Sequence, residues 1–186
     1  MPAKRAVDLT GSLILLLLLL PALLALAAAV AVTSPGPVLT RRDRTGLGGR
    51  PFAMLTFRTR RNDQVDDTRD TPVGRPLRRH FLDELPQLIN VLRGEMSLVG
   101  PRPLAPEDSE PATGAGRARL GVRPGITGLW QISGRSELPW EEMAVLDLHY
   151  VEQYWLGLDL LILARTLPAA VAGRRPVPAG APVRLA

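Results

Sequence analysis

The sequence predicts a mostly helical α+β chain: a long N-terminal membrane helix, then a small domain at the membrane surface with further helices lying in the interface. Three stretches carry that prediction. Leu13 to Val32 is apolar throughout, interrupted only by Pro21, and no charge falls between Asp8 and Arg41. Roughly 20 such residues suffice to cross a hydrocarbon core. Apolar side chains recur at Phe81, Leu82, Leu85, Leu88, Ile89 and Leu92, the three-and-four spacing of one helix face. Between these, PFAMLTF (Pro51 to Phe57) alternates in the manner of a short strand.

Composition narrows the chemistry. A chain of 186 residues is long enough for one ordinary domain. Its net charge of +5 comes from arginine rather than lysine. The planar guanidinium fork matches phosphate and carboxylate oxygens, so anionic partners are expected. There is no cysteine, which excludes disulfides, thiolate catalysis and cysteine-ligated zinc. The two histidines, His80 and His149, lie far apart and make a poor start for an imidazole metal site. Aromatic residues make up only 4% of the chain, too few for a base-stacking platform, so no nucleic acid is expected.

Along the chain, Lys4 and Arg5 precede the apolar segment and Arg41, Arg42 and Arg44 follow it. Positive charge at both ends leaves orientation undecided between a simple span and a re-entrant hairpin bent at Pro21. A cleaved signal peptide is the third reading of this segment, through its Ala-rich end. SPGPV (Ser34 to Val38) ends the helix. GLGG (Gly46 to Gly49) reads as a plain turn, since no strand–loop–helix context marks it as a nucleotide loop. Arg58 and Arg60 close the strand, and residues 61–71 form a polar loop.

The central helix is expected to begin near Asp83, because Pro86 is tolerated only close to a helix start. Asp83 and Glu84 then sit in or just before the first turn, where free N–H groups stabilise negative charge. Arg75, Arg78 and Arg79 crowd the approach. Two acids among arginines at a helix start suit phosphate chemistry with an active carboxylate. The plainer reading is dipole pairing on a solvated surface.

Beyond the helix, Ser97 to Val99 reads as a brief strand. In GPRP, prolines on both sides of Arg102 restrict where its guanidinium points. Residues 103–116 form an exposed connection. Arg119 to Arg135 (RLGVRPGITGLWQISGR) reads as organised loop, with Arg123, Gln131 and Arg135 as polar candidates and Trp130 as a packing residue. Trp140 to Tyr154 reads as a helix. The following YWLGLDLLILARTLPAAVAG is strongly apolar but carries Asp159 and Arg165, which suits a helix lying on the membrane better than one crossing it. The proline-rich tail is expected to be disordered.

Several long motifs in order resemble the monotopic phosphoglycosyl transferases, bacterial sugar transferases that start lipid-linked glycan assembly. They are KRAVD, SPGPVLTRRDRTGLGGRPFAMLTFRT, LDELPQLINVLRGEMSLVGPRP, VRPGITGLWQISGR and LDLHYV. The resemblance implies transfer of a sugar phosphate from a UDP-sugar to a polyprenyl phosphate. It assigns Asp83 as the nucleophile that expels UMP and forms an aspartyl phosphosugar, and Glu84 as the partner acid. It implies Mg2+, with Asp83 as a metal residue, and a re-entrant helix with both termini and the site on the cytoplasmic face of the inner membrane. Arg78 and Arg102, and less centrally Arg58 and Arg123, are expected to neutralise the phosphates, and Gln131 and Arg135 to bind substrate.

The implied division is a re-entrant membrane helix over 1–36, a catalytic domain over 37–173 and a disordered tail over 174–186, the minimal catalytic form. Two departures stand out. Leu20 precedes the membrane proline where the family often has serine, and Phe81 stands two before Asp83 where serine is again common. The rival expectation is a noncatalytic membrane-anchored module that holds anionic lipid or a polyanion, binding in proportion to charge and losing it in salt.

Overall fold

The structure is a computed structural model that describes residues 2–61, 70–106, 115–133 and 140–173. The expected disordered tail and Arg135 lie outside the described residues. The architecture is mostly helical α+β. It opens with α1 (Pro2–Thr33), an unbroken helical assignment that includes Pro21. Among the described residues it is the one helix long and apolar enough to cross a membrane. Its middle leucines are bare: Leu17 is 65% exposed and Leu18 71%. An apolar surface of that extent does not face water in a stable monomer, so α1 is fit to serve as a membrane anchor.

Both ends of α1 nevertheless touch the domain. At its start Lys4 donates to Asp159 (2.6 Å) and to the Val99 carbonyl (3.0 Å), and Arg5 donates to the Val91 carbonyl (2.8 Å). Buried Asp8 accepts from Ser97 Oγ (2.9 Å) and the Leu98 N–H (3.0 Å). At its other end Val30, fully buried, packs in a cluster with Phe57 and Leu77.

Two small sheets follow. β1 (Leu39–Thr45) and β2 (Pro51–Phe57) form an antiparallel hairpin in the register Leu39 with Phe57 through Thr45 with Pro51. β1 was invisible to the alternation test. Its residues LTRRDRT are polar on both faces because one face lines a cleft and the other is mostly exposed. The second sheet pairs β3 (Ser97–Val99) in parallel with β4 (Gly125–Thr127). It brings two glycines close: a Cβ on Gly125 would lie 2.1 Å from the Gly100 nitrogen. Only glycine permits that approach.

The helices are α2 (Gly74–Arg79), α3 (Gln87–Arg93), α4 (Ala115–Arg119), α5 (Leu129–Ile132), α6 (Trp140–Glu152) and α7 (Leu156–Ala172). The central helix starts later than expected, which leaves the acids just before it, one of the two expected placements. Asp83 and Glu84 occupy a separate one-turn 3-10 segment (Leu82–Glu84), and α3 begins only at Gln87, with Pro86 as its N-cap. Proline lacks an N–H and suits such a boundary, so the acids precede the α-helix by a turn rather than open it.

Asn90 carries no apolar signal within the helix stripe, yet it ties α3 to the hairpin. Fully buried, it accepts from the Leu55 N–H (3.0 Å) and donates to the Ala53 carbonyl (2.8 Å) and Glu95 (2.6 Å). One amide side chain thus satisfies the backbone edge of β2 as a neighbouring strand would.

The main core joins Phe52, Leu88, Val91, Met96, Leu98, Val99, Tyr150 and Ile162. α7 buries Asp159 and Ile162 on one side and leaves Leu160, Leu161, Leu167 and Val171 exposed on the other. Buried Asp159 is satisfied by Lys4 and by Tyr150 Oη (2.7 Å), so α1, α6 and α7 meet in one polar knot. A buried charge is tolerable when it is paired in this way.

Candidate active site

The pleat of the hairpin builds one wall. Even-numbered residues share a face, placing Arg42 across from Met54 and Thr40 across from Thr56. Arg42, Arg44, Met54 and Thr56 from that face line a cleft of about 220 Å³. Thr59 and Arg60 extend it past β2, and Arg78 enters from α2. Asp83, Glu84 and Gln87 form the central wall. Arg102, Pro103, Gly125, Ile126 and Trp130 close the far side. Five arginines thus face two carboxylates, an excess of positive charge suited to a polyanionic ligand such as a diphosphate.

Asp83 is only 8% exposed. It follows Phe81, whose φ of +57° is the one left-handed value at a non-glycine among the described residues. A bulky side chain in that region costs about 1–2 kcal/mol. Such strain persists where the surroundings impose it and gathers at working sites. Here it turns the chain from α2 into the 3-10 segment that presents Asp83 to the cleft. Serine at position 81 would face the same backbone restriction, and Phe81 adds its bulk.

Arg78 is held in place by an ion pair with Asp70. Arg102 is supported more elaborately. Its guanidinium lies 5.0 Å from the Trp130 ring centroid, and Nη1 approaches Met143 Sδ at 3.2 Å. Its backbone N–H donates to Asp147 Oδ2 at 3.1 Å, while Arg119 forms an ion pair with the same carboxylate. Arg119 also donates to the Arg102 carbonyl at 3.4 Å. Burial pushes the Asp147 carboxyl up to about 6, against the opposing pull of Arg119 and Arg102. Burial likewise lowers the Arg119 guanidinium. Both shifts say that desolvation outweighs attraction in this pair, so it serves geometry more than stability.

The residues singled out in the sequence divide as follows. Asp83, Glu84, Arg78 and Arg102 converge on the cleft. Arg58 is not brought to it: it is 4% exposed and donates to the Ser34 carbonyl, bracing the chain where α1 ends. Arg123 lies on another cavity, where its Nε donates to the Gly94 carbonyl (2.8 Å) and caps the end of α3. Gln131 is buried beside Trp130 and is not part of the cleft lining. Arg42, Arg44, Arg60, Thr56, Thr59 and Gln87 were missed. The i, i+2 spacing of Thr40, Arg42 and Arg44 was the available signal, legible once β1 is known to be a strand. Asp147 and Tyr150 fall in LDLHYV, one of the motifs that carry the resemblance.

The family pattern described as bacterial sugar transferase matches residues 1–173. The exopolysaccharide production protein ExoY of Rhizobium meliloti is 38% identical, over 92% of this chain and 87% of its own length. A UDP-glucose:undecaprenyl-phosphate glucose-1-phosphate transferase of Caulobacter vibrioides is 43% identical, over 89% of this chain and 68% of its own. The Escherichia coli protein of the same name is 41% identical over 88% of this chain, which matches 39% of that larger protein. The matched residues take in α1, the acidic pair and the arginine-lined cleft, and the chain belongs to the bacterial sugar transferase family.

Proposed function

We propose that the protein is a phosphoglycosyl transferase that moves a sugar 1-phosphate from a UDP-sugar to polyprenyl phosphate, the first membrane step of exopolysaccharide or related glycan assembly. The observation that carries this reading is a nearly buried carboxylate, Asp83, in a cleft lined by five arginines. The relatives named as UDP-glucose:undecaprenyl-phosphate glucose-1-phosphate transferases support the class of donor and acceptor.

In this reading an Asp83 carboxylate oxygen attacks the sugar-bearing phosphorus of the donor. A new P–O bond forms to Asp83, the bond from that phosphorus to the bridging oxygen breaks, and UMP leaves with the electron pair. A phosphate oxygen of the polyprenyl phosphate then attacks the aspartyl phosphosugar. The P–O bond to Asp83 breaks, the carboxylate is regenerated, and polyprenyl diphosphate sugar is released. Splitting the transfer in two is what a carboxylate nucleophile contributes. Arg42, Arg44, Arg60, Arg78 and Arg102 oppose charge on the phosphoryl oxygens, and Glu84 orients or deprotonates the attacking acceptor.

The donor set also fits Mg2+. Asp83 and Glu84 offer hard carboxylate oxygens on the cleft wall, and magnesium typically takes one or two carboxylates with the rest from phosphates and water. When bound, the ion supplies charge neutralisation on the diphosphate.

The re-entrant course of α1 is supported by the contacts of both its ends with one domain, through Lys4 and Asp8 at the start and Val30 near the close. A helix crossing a hydrocarbon core of about 30 Å would carry one end out of the domain's reach. Termini and cleft then share the cytoplasmic face of the inner membrane, and the bare apolar side of α7, preceded by exposed Trp155, rests in the interface.

The test is UMP release from UDP-glucose or UDP-galactose with Mg2+ and undecaprenyl phosphate. Wild type should release UMP in proportion to lipid product, and Asp83→Asn should lose at least about 10³-fold in kcat. Full turnover by Asp83→Asn would overturn the mechanism.

A further inference from the structure

Two cavities lie apart from the cleft, and they meet at Arg93. One is lined by Pro37, Leu39, Arg41, Leu55, Ile89 and Arg93, and measures about 630 Å³. The other, about 420 Å³, includes the GLGG turn with Arg50, Phe52, Glu95, Arg93 and Arg123. The first is floored by leucine and isoleucine and rimmed by Arg41 and Arg93. The second is mainly cationic, because Arg50, Arg93 and Arg123 outnumber Glu95, its one acid. No ion pair among the described residues involves Arg41, Arg50, Arg93 or Arg123. Arg123 donates to the Gly94 carbonyl. Guanidinium groups gathered in excess over carboxylates repel one another, and an anion between them would relieve that cost.

We infer that these paired cavities form a site for an anionic phospholipid of the bilayer, with its phosphate at Arg93 and Arg41 and the start of an acyl chain over Leu39, Leu55 and Ile89. Charge complementarity and an apolar floor side by side call for an amphiphilic anion. The location agrees: Pro37 follows α1 by four residues, so the groove opens where the chain leaves the membrane segment. This site is separate from the chemistry, since no residue lines both the cleft and either cavity. Leu39, Arg41 and Leu55 lie on the hairpin face opposite Arg42, Met54 and Thr56 of the cleft, and only Thr40 and Phe52 reach the two cavities from the even-numbered face. A lipid held here cannot present its phosphate to Asp83, which makes it a bulk phospholipid rather than the acceptor. Asp43, next on the odd face, does not line either cavity. The inference rests on α1 being the membrane segment and not on the proposed reaction.

The experiment is native mass spectrometry of the full chain, extracted in a neutral detergent and titrated with dihexanoyl phosphatidylglycerol or dihexanoyl phosphatidylcholine. UMP release is measured in parallel. Wild type should retain one phosphatidylglycerol at a concentration roughly tenfold below that needed for phosphatidylcholine. Arg41→Ala/Arg93→Ala should abolish that preference, and Arg42→Ala, on the cleft face, should keep it. Arg41 and Arg93 are both exposed, and a thermal melt checks that the double variant folds; Arg93→Lys, which keeps the charge, should lose the preference only in part. Equal retention of the two lipids by wild type, or an unchanged preference in the double variant, would overturn the inference. So would displacement of the bound lipid by equimolar undecaprenyl phosphate, which would make the site the acceptor's. Loss of UMP release with lipid preference intact would count against the reaction and leave this site standing.

Discussion

At the residue scale the account turns on how few groups carry charge in a nearly dry place. Asp83 and Asp147 are two of them, beside the cleft and behind it. Asp147 holds the Arg102 backbone and pairs with Arg119, and its carboxyl titrates near 6. The sign is informative. A carboxyl whose folded pKa is raised above its unfolded 3.8 favours folding when protonated, and that contribution is lost as pH rises through about 6. Acidifying from pH 7 to 5 therefore does not unfold the protein through Asp147. It weakens the Arg119 pairing and the acceptor that fixes Arg102, so kcat/KM should fall across that range while the melting temperature holds. Parallel pH profiles of activity and melting check this. Asp147→Ala goes further than protonation, because it takes away the acceptor shared by the Arg102 N–H and Arg119 as well as the charge, and it should cost about 3–5 kcal/mol in denaturant titrations. Arg102→Ala, by contrast, removes an exposed side chain from the cleft and should lower kcat about 10²-fold with little loss of stability. The opposite result, a large stability loss with turnover intact, would make Arg102 a scaffold residue. Of these residues only Asp83, Glu84 and Arg102 announced themselves, through local spacing and flanking prolines. Asp147 did not, because a lone aspartate on a helix gives no sign of being buried.

At the scale of elements, what could be read was local and what escaped was tertiary. Pro51–Phe57 and Ser97–Val99 were legible as strands because their alternation or apolar run is self-contained. The helix from Trp140 was legible to within two residues of its end. β1 and β4 were not: LTRRDRT and GIT become strands only by pairing with β2 and β3. The glycines of the second sheet read as loop signals, whereas Gly100 and Gly125 are where two backbones nearly touch. Gly125→Ala would place a Cβ 2.1 Å from the Gly100 nitrogen and should cost about 3 kcal/mol or more, seen as loss of folded protein in the membrane fraction. Asn90→Leu keeps the volume but deprives the Leu55 N–H and the Ala53 carbonyl of their partners. An unfolding free energy lower by about 2–4 kcal/mol is expected from denaturant titration. A neutral result would mean that water replaces the amide at the edge of β2.

Across the whole molecule, the arrangement joins a membrane anchor to a charged cleft through buried contacts at both ends of one helix. Lys4, Tyr150 and Asp159 clamp the start of α1 to α6 and α7, and Arg58 with Val30 braces its end. The natural absence of cysteine permits a clean topology test with single cysteines at exposed Ala3 and Pro35. Both should react with a membrane-impermeant maleimide in inverted vesicles and neither in intact spheroplasts, whereas a spanning helix would label one from each side. Residue physics alone left that choice open at Pro21, because positive charge at both ends of a segment does not pick a side.

The central claim is that Asp83 becomes covalently phosphorylated by the sugar-bearing phosphate. Intact-protein mass spectrometry after incubation with UDP-sugar and Mg2+, without acceptor, reads it directly. A mass gain equal to one sugar phosphate, discharged by added undecaprenyl phosphate and missing in Asp83→Asn, is the predicted result. The same gain in Asp83→Asn, or lipid product from wild type with no adduct at any quench time, would contradict it.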